Sequence, residues 1–191
     1  MFTLAPHAVL TVAVQQLAGI MPEVKGRRIR VSVRPKLTAH KGKLLSRSSS
    51  GTPVYAGAML EDRTITLDSS LLRTPRMLAR IFVHEVFHFV WWRLGNPLRR
   101  SFEELVKTEF EAGVRGELGW SSESLKMGLT ARDIRNRTNR WRMYVCESFC
   151  DTGGFVFGSS RQTVELTLDK HARALRRKWM RHHLAQRSLS I

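Results

Sequence analysis

Residues 81–92 read IFVHEVFHFVWW, and this stretch decides the fold. It is apolar almost throughout, yet His84, Glu85 and His88 interrupt it near the middle. Burying an imidazole or a carboxylate without a partner costs several kcal/mol, so the fold must supply partners for these three side chains.

The residues on either side place the stretch inside one helix. Thr74 followed by Pro75 is a favourable helix start, and Gly95 followed by Pro97 is a favourable stop, so the sequence predicts a helix from about 75 to 94. Charged residues and histidines punctuate it, which indicates a core helix of a soluble protein rather than a transmembrane span.

The five residues His84-Glu85-Val86-Phe87-His88 have the form H-E-x-x-H. Positions i and i+4 of a helix lie on one face, so both imidazoles can bind one metal ion while Glu85 flanks a metal-bound water. A cation and its water would satisfy the three buried groups. The alternative is a partly buried histidine pair that is satisfied by hydrogen bonds to backbone or carboxylate groups.

In this motif the chain resembles the zincin metallopeptidases, whose minimal core is a small sheet, an edge strand and an active-site helix with H-E-x-x-H. Trp91 and Leu94 occupy the glycine and final histidine positions of the metzincin motif, which excludes that subfamily. Gluzincins take a glutamate from a downstream helix, commonly in an E-x-x-x-D pattern, and Glu147 and Asp151 match it. The resemblance implies a minimal gluzincin with an α+β fold: a small mixed sheet, its edge strand packed on the active-site helix, and further C-terminal helices.

The resemblance also implies roles for individual residues. Zn²⁺ would be held by His84, His88 and Glu147, and Asp151 would accept a hydrogen bond from the far nitrogen of a ligand histidine. Glu85 would be the general base of a hydrolase that cleaves peptide bonds with a metal-activated water.

Other residues compete for these roles. Glu103, Glu109 and Glu117 on the next predicted helix, and His171, are alternative third ligands. Gluzincins stabilise the oxyanion with a downstream His or Tyr, so Tyr144 and His171 are the candidates, and an ordinary core or surface residue is the alternative for each.

Cys146 and Cys150 are the only cysteines, and they lie on either side of Glu147. Two cysteines four residues apart in a predicted helix argue against the disulfide framework of small secreted domains, and we predict a cytoplasmic protein. A thiolate ligand to the metal is one hypothesis for this pair. A free buried cysteine more often packs as a small hydrophobic residue.

The remaining sequence predicts a single domain over residues 1–191. Its parts are an N-terminal helix and sheet (1–74), the active-site and third-ligand helices (75–160) and a basic C-terminal helix (161–191). The predicted strands are 27–33, 54–59 and 63–68, and 36–53 is a mobile loop or long hairpin tip. Strand 63–68 is either the edge strand with which an extended substrate pairs or a plain structural strand. The other predicted helices are about 6–20, 101–118, 130–151, ended by Gly153 and Gly154, and 161–186.

The charge of the chain suggests a second kind of function. The sequence has 32 Lys and Arg against 16 Asp and Glu, a formal net charge of +16. Seven Lys or Arg and no acid occur from Lys170 to Arg187. Such an excess favours nonspecific contact with nucleic acid or acidic partners. The alternative function is therefore a polyanion-associated regulatory protein on a zincin scaffold, latent or inactive on generic substrates, with the 36–53 loop or basic tail over the cleft.

Overall fold

A computed structural model of the chain describes residues 1–158 and 166–191. It confirms the α+β class, with strands mainly in the first third and helices after them. The described helices are α1 (Ala8–Ala18), α2 (Pro75–Arg93), α3 (Asn96–Glu111), α4 (Trp120–Met127), α5 (Ala131–Arg135), α6 (Asn139–Phe157) and α7 (Lys170–Leu184), with a 3-10 turn at Ser69–Arg73. The described strands are β1 (Phe2–Leu4), β2 (Val24–Lys25), β3 (Ile29–Arg34), β4 (Leu37–His40), β5 (Lys43–Ser46), β6 (Thr52–Pro53), β7 (Ala56–Met59), β8 (Thr64–Asp68) and β9 (Leu189–Ser190).

The main sheet has the strand order β1-β3-β8-β7. β3 pairs in parallel with both β1 and β8, and β7 pairs antiparallel with β8 at the edge. The prediction that residues 63–68 form the edge strand is therefore wrong. β8 has β3 on one side and β7 on the other, and its Ile65 and Leu67 side chains are fully buried in the core. The two edge strands of this sheet are β1 and β7, and β7 is the one that lies beside β8.

Residues 36–53, predicted as a mobile loop or hairpin tip, form a small antiparallel sheet of their own. β4 and β5 make a hairpin in which Ala39 faces Leu44, and β6 pairs with the other side of β4. Asp68 anchors the base of the hairpin, because its carboxylate accepts hydrogen bonds from the backbone N–H of Leu37 and of Ser70, each 2.8 Å long.

α2 lies at the centre of the core and packs along α6. A Cβ on Gly153 would lie 2.3 Å from the Phe87 ring, and one on Gly154 would lie 2.9 Å from the Arg80 carbonyl oxygen. The double glycine was predicted to end the helix, and this is wrong. The two glycines instead let α2 and α6 approach closely, and α6 continues to Phe157.

The other helix boundaries differ from the prediction for local reasons. The predicted helix 130–151 is divided into α5 and α6, because Arg137 adopts a φ of 44° and Thr138 caps a new helix by accepting from Trp141 N–H. The capping box of Thr130 and Asp133 is present at the start of α5. α4 was not predicted, and α3 begins earlier than expected, at Asn96.

α7 begins at Lys170, where Asp169 caps it. The part of the predicted basic helix before residue 166 lies outside the described residues. One face of α7 is buried and includes Arg176, whose exposed fraction is 0%. Of the helices in residues 1–158 and 166–191, none combines the length and apolar character that a membrane span requires.

Candidate metal centre

Two histidines of α2 and one glutamate of α6 meet at the surface of the helix pair. The Nε2 atoms of His84 and His88 are 3.2 Å apart, and Glu147 places one carboxylate oxygen 3.4 Å from His84 Nε2 and the other 3.8 Å from His88 Nε2. Ligand atoms at the corners of a tetrahedral zinc site with bonds of about 2.0–2.1 Å lie about 3.3 Å apart. The three side chains therefore have the spacing that one such ion requires.

His84 is oriented by a buried carboxylate. Asp151 Oδ1 lies 2.9 Å from His84 Nδ1, and Asp151 Oδ2 accepts a 2.6 Å hydrogen bond from the Ser122 hydroxyl at the start of α4. A Cβ on Gly119 would lie 2.1 Å from Asp151 Oδ1, so only glycine fits there. The sequence predicted the contact of Asp151 with a ligand histidine. It gave no signal for Ser122 or Gly119, because their role depends on a helix that was not predicted.

His88 is oriented differently. Its Nδ1 lies 3.7 Å from Cys146 Sγ, so the nitrogen that faces away from His84 and Glu147 meets a thiol. A hydrogen bond from Cys150 lowers the pKa of Cys146 to about 6, and burial raises the pKa of Cys150 well above its usual value.

The electrostatics of the site favour positive charge. Burial would lower the pKa of His84, but Asp151 and Glu147 raise it well above its ordinary value. Burial would also lower the pKa of His88, but Cys146 and Glu147 raise it to about 9. Burial would raise the pKa of Glu147, but the two histidines lower it to about 2. The carboxylates thus favour positive charge at the two imidazoles, and a divalent cation bound between the three side chains would supply that charge.

Glu85 lies beside the two histidines and is 6% exposed. Burial raises its pKa above the usual range, although the neighbouring histidines act in the opposite direction. The cleft beside the site has two hollows, and Glu85 and His84 line both of them. This position allows its carboxylate to exchange a proton with a molecule in either hollow.

The competing third ligands are engaged elsewhere. Glu109 and Glu117 both bind the buried Arg176 guanidinium. Glu103 accepts hydrogen bonds from the Arg137 guanidinium and from the indole N–H of Trp141 on α6. His171 is exposed in the first turn of α7. Of the predicted alternatives, only Glu147 is brought to the two histidines.

Tyr144, predicted as an oxyanion donor, is not at the site. Its side chain is fully buried, and its hydroxyl donates a 2.6 Å hydrogen bond to Glu117. Burial and the charge of Glu117 raise the Tyr144 pKa well above its usual value. The prediction is wrong because Tyr144 lies on the face of α6 that is turned toward Arg176.

The cleft beside the site has two hollows. One, of about 390 Å³, is bordered by Tyr55, Arg80 and Trp120. The other, of about 330 Å³, lies between β7 and the β4–β5 hairpin and is bordered by His88 and Glu147. Tyr55 and Trp120 are 48% and 62% exposed and both border the first of these hollows. The sequence reasoning did not identify them, because no spacing links them to the motif.

Comparisons of the chain with protein-family models, with curated proteins and with solved structures find no match. The resemblance to zincins therefore rests on the motif and on the geometry of the three side chains.

Proposed function

We propose that this chain is a small zinc-dependent metallopeptidase of the gluzincin type. The observation that carries the proposal is the spacing of the His84, His88 and Glu147 ligand atoms, between 3.2 and 3.8 Å, with Glu85 buried beside them. Two neutral imidazoles and one carboxylate form a three-ligand set that leaves a fourth position open, as in catalytic rather than structural zinc sites.

Zinc bound by this trio would supply Lewis acidity, which lowers the pKa of a water and polarises a substrate carbonyl. Glu85 accepts the proton of the attacking water on its carboxylate and delivers it to the nitrogen of the leaving amine. Asp151 holds His84 with its Nδ1 protonated, so that its Nε2 lone pair faces the metal position. Glu147 adds the negative charge that offsets part of a divalent cation.

The position of the edge strand β7 favours a peptide as the substrate. It lies against α2 and borders the hollow that contains His88 and Glu147. An extended peptide can pair with an edge strand through backbone hydrogen bonds, which gives little sequence preference. Leu44 of the β4–β5 hairpin lies against Gly57 of β7, so the hairpin borders the same hollow and would limit access to it.

The first experiment measures metal content by elemental mass spectrometry on protein without a histidine tag. Relative to the wild type, we expect His84→Ala to lose about one zinc per chain and Glu147→Ala to lose most of one zinc per chain. His171→Ala and Glu104→Ala change the same residue types at exposed positions and should keep the metal. Full zinc retention in Glu147→Ala would exclude the gluzincin ligand set.

The second experiment measures hydrolysis of casein and of a mixed peptide library. Glu85→Gln preserves the size of the side chain and removes its basicity, so it should retain zinc and lose about 100- to 10,000-fold in rate. A Glu85→Gln variant that cleaves at the wild-type rate would refute the role of Glu85. A zinc-loaded wild type that cleaves nothing would instead favour latency or the second function.

A second candidate function is binding to a polyanion, supported by the net charge of +16 and by the outer face of α7. Lys170, Arg177, Lys178 and Arg181 are all exposed on this helix. Proteins that neutralise several phosphates lose affinity steeply with salt. Retention on DNA or heparin should fall with the logarithm of salt concentration, and a variant with these four residues changed to Gln should elute earlier.

A further inference from the structure

The nitrogen of His88 that faces away from His84 and Glu147 meets a pair of thiols. His88 Nδ1 is 3.7 Å from Cys146 Sγ, and one ligand atom from each of His88, Cys146 and Cys150 lies within 4.8 Å of the other two. The two cysteines lie one helical turn apart on α6, so both sulfurs can face α2. The cluster contains neither His84 nor Glu147.

We propose that His88, Cys146 and Cys150 form a second metal site, which takes a thiophilic ion such as Zn²⁺ through His88 Nδ1 and two thiolates. In a tetrahedral site with Zn–S bonds of about 2.3 Å and Zn–N bonds of about 2.0 Å, nitrogen and sulfur lie about 3.5 Å apart. The observed 3.7 Å between His88 Nδ1 and Cys146 Sγ needs little adjustment to reach that spacing. Thiolate ligands select zinc, copper(I) and similar soft ions over calcium or magnesium.

Charge and burial favour such an ion. Cys150 is fully buried, whereas Cys146 and His88 are partly exposed, so the cluster has an inner wall and an open side. Two thiolates cancel the charge of a divalent ion, and a neutral complex can be buried at much lower cost than a bare cation. On binding, each thiol and His88 Nδ1 give up a proton and the ion takes their place.

The proposal goes beyond the peptidase function and does not depend on it. The two sites share His88 but use opposite nitrogens of the ring, Nε2 toward His84 and Nδ1 toward Cys146. The close packing of α2 on α6 through Gly153 fixes both clusters, because it holds the helix with the histidines against the helix with the thiols. A metal at the thiols would therefore change the ring that also serves the first site.

Cobalt(II) is the probe, because thiolate-to-cobalt charge transfer gives an absorption band in the near ultraviolet that imidazole and carboxylate ligands do not produce. The full chain is reduced, its two thiols are counted with a thiol reagent under denaturing conditions, and Co²⁺ is titrated without oxygen. The variants are Cys146→Ser and Cys150→Ala, with Glu147→Ala and His84→Ala as matched changes in the first site. Circular dichroism establishes that each variant is folded.

We expect the charge-transfer band in the wild type, in Glu147→Ala and in His84→Ala, and its loss or at least a tenfold fall in affinity in each cysteine variant. A fully reduced wild type without the band would overturn the proposal. Visible cobalt absorption that lacks this band and disappears in Glu147→Ala would also overturn it, while supporting the first site. Persistence of the band at wild-type intensity and affinity in both folded cysteine variants would equally refute the thiol site.

Discussion

Replacing Asp151 with Asn tests how far the orientation of His84 determines metal binding. Asparagine has the shape of aspartate, and its oxygen can still accept from His84 Nδ1–H while its amide group donates to the Ser122 hydroxyl. In the variant that hydroxyl can accept this bond because its single proton can turn to the Gly119 carbonyl oxygen, 3.1 Å away. The change keeps the bond to His84, reverses the bond to the Ser122 hydroxyl and loses the long 3.4 Å bond from the Ser122 backbone N–H. It also removes the negative charge 2.9 Å from the imidazole.

Removal of a carboxylate that orients a metal-binding histidine typically lowers metal affinity by about 10- to 100-fold, which corresponds to about 1.4–2.8 kcal/mol. Asp151 is only 5% exposed, so water screens its charge weakly and we expect the upper part of this range. Asp151 also raises the pKa of His84, so in the wild type a proton competes strongly for the imidazole. The variant has a lower His84 pKa and weaker proton competition. Its affinity deficit should therefore be largest at alkaline pH and smaller as the pH falls.

The assay is competition for zinc against a chromophoric chelator at several pH values. Asp169→Asn is the matched control, because it makes the same substitution at the cap of α7 and asparagine is also a good N-cap. The zinc affinity of Asp169→Asn should stay within about twofold of the wild-type affinity. Equal zinc affinity of Asp151→Asn and the wild type across the pH range would refute the positioning role of Asp151.

Three further predictions concern the packing that holds the site. Arg176→Met should lower the free energy of unfolding by about 3–5 kcal/mol in urea denaturation, because it leaves the buried Glu109 without its cation and Glu117 with Lys126 alone. The exposed Lys178→Met should change it by less than about 0.5 kcal/mol. Burial would raise the pKa of Glu117, but Arg176 lowers it below the usual 4.5. The Glu117–Arg176 pair therefore stabilises the fold above pH 4.5, and this stability is lost as the pH falls through the lowered pKa of Glu117. Stability measured below pH 4.5 should therefore fall less steeply in Glu117→Gln than in the wild type. Gly153→Ala should cost about 1–3 kcal/mol of unfolding free energy and weaken zinc binding, because its Cβ would lie 2.3 Å from the Phe87 ring.

The elements that could be predicted from the sequence are those that local spacing determines. The helix around His84 and His88 has start and stop signals in the chain itself, and the i, i+4 spacing places both rings on one face. The same rule applies to Glu147 and Asp151 on α6, which the structure places beside His84. These residues could be proposed together because each motif places its side chains on one helix face, and one ion can bind both motifs only if the two faces lie opposite each other.

The parts that could not be predicted depend on contacts between distant segments. The double glycine at Gly153 is a stop signal by local rules, but the ring of Phe87 requires that space inside a helix pair. Tyr144 has the right distance in sequence to serve the metal site, yet Glu117 draws its hydroxyl to the opposite face. Strand 63–68 has the pattern of a strand in either position, and only its pairing with β3 makes it central.

The C-terminal helix α7 has an inner face that contacts α6 and a basic outer face that is exposed. On its inner face, Arg176 binds Ser148 of α6 through a 2.7 Å hydrogen bond, and Ser148 is adjacent to Glu147. α6 is thus held on one side by the glycine contact with α2 and on the other by this arginine. The outer face carries exposed Lys178 and Arg181, for which the described structure shows no hydrogen bond or ion pair to α6. Changes to the outer face should therefore alter polyanion binding alone, whereas loss of Arg176 should disturb the position of Glu147 and with it the metal site. If loss of Arg176 and changes to the outer face both altered polyanion binding and left zinc affinity unchanged, α7 would have no role in supporting the metal site.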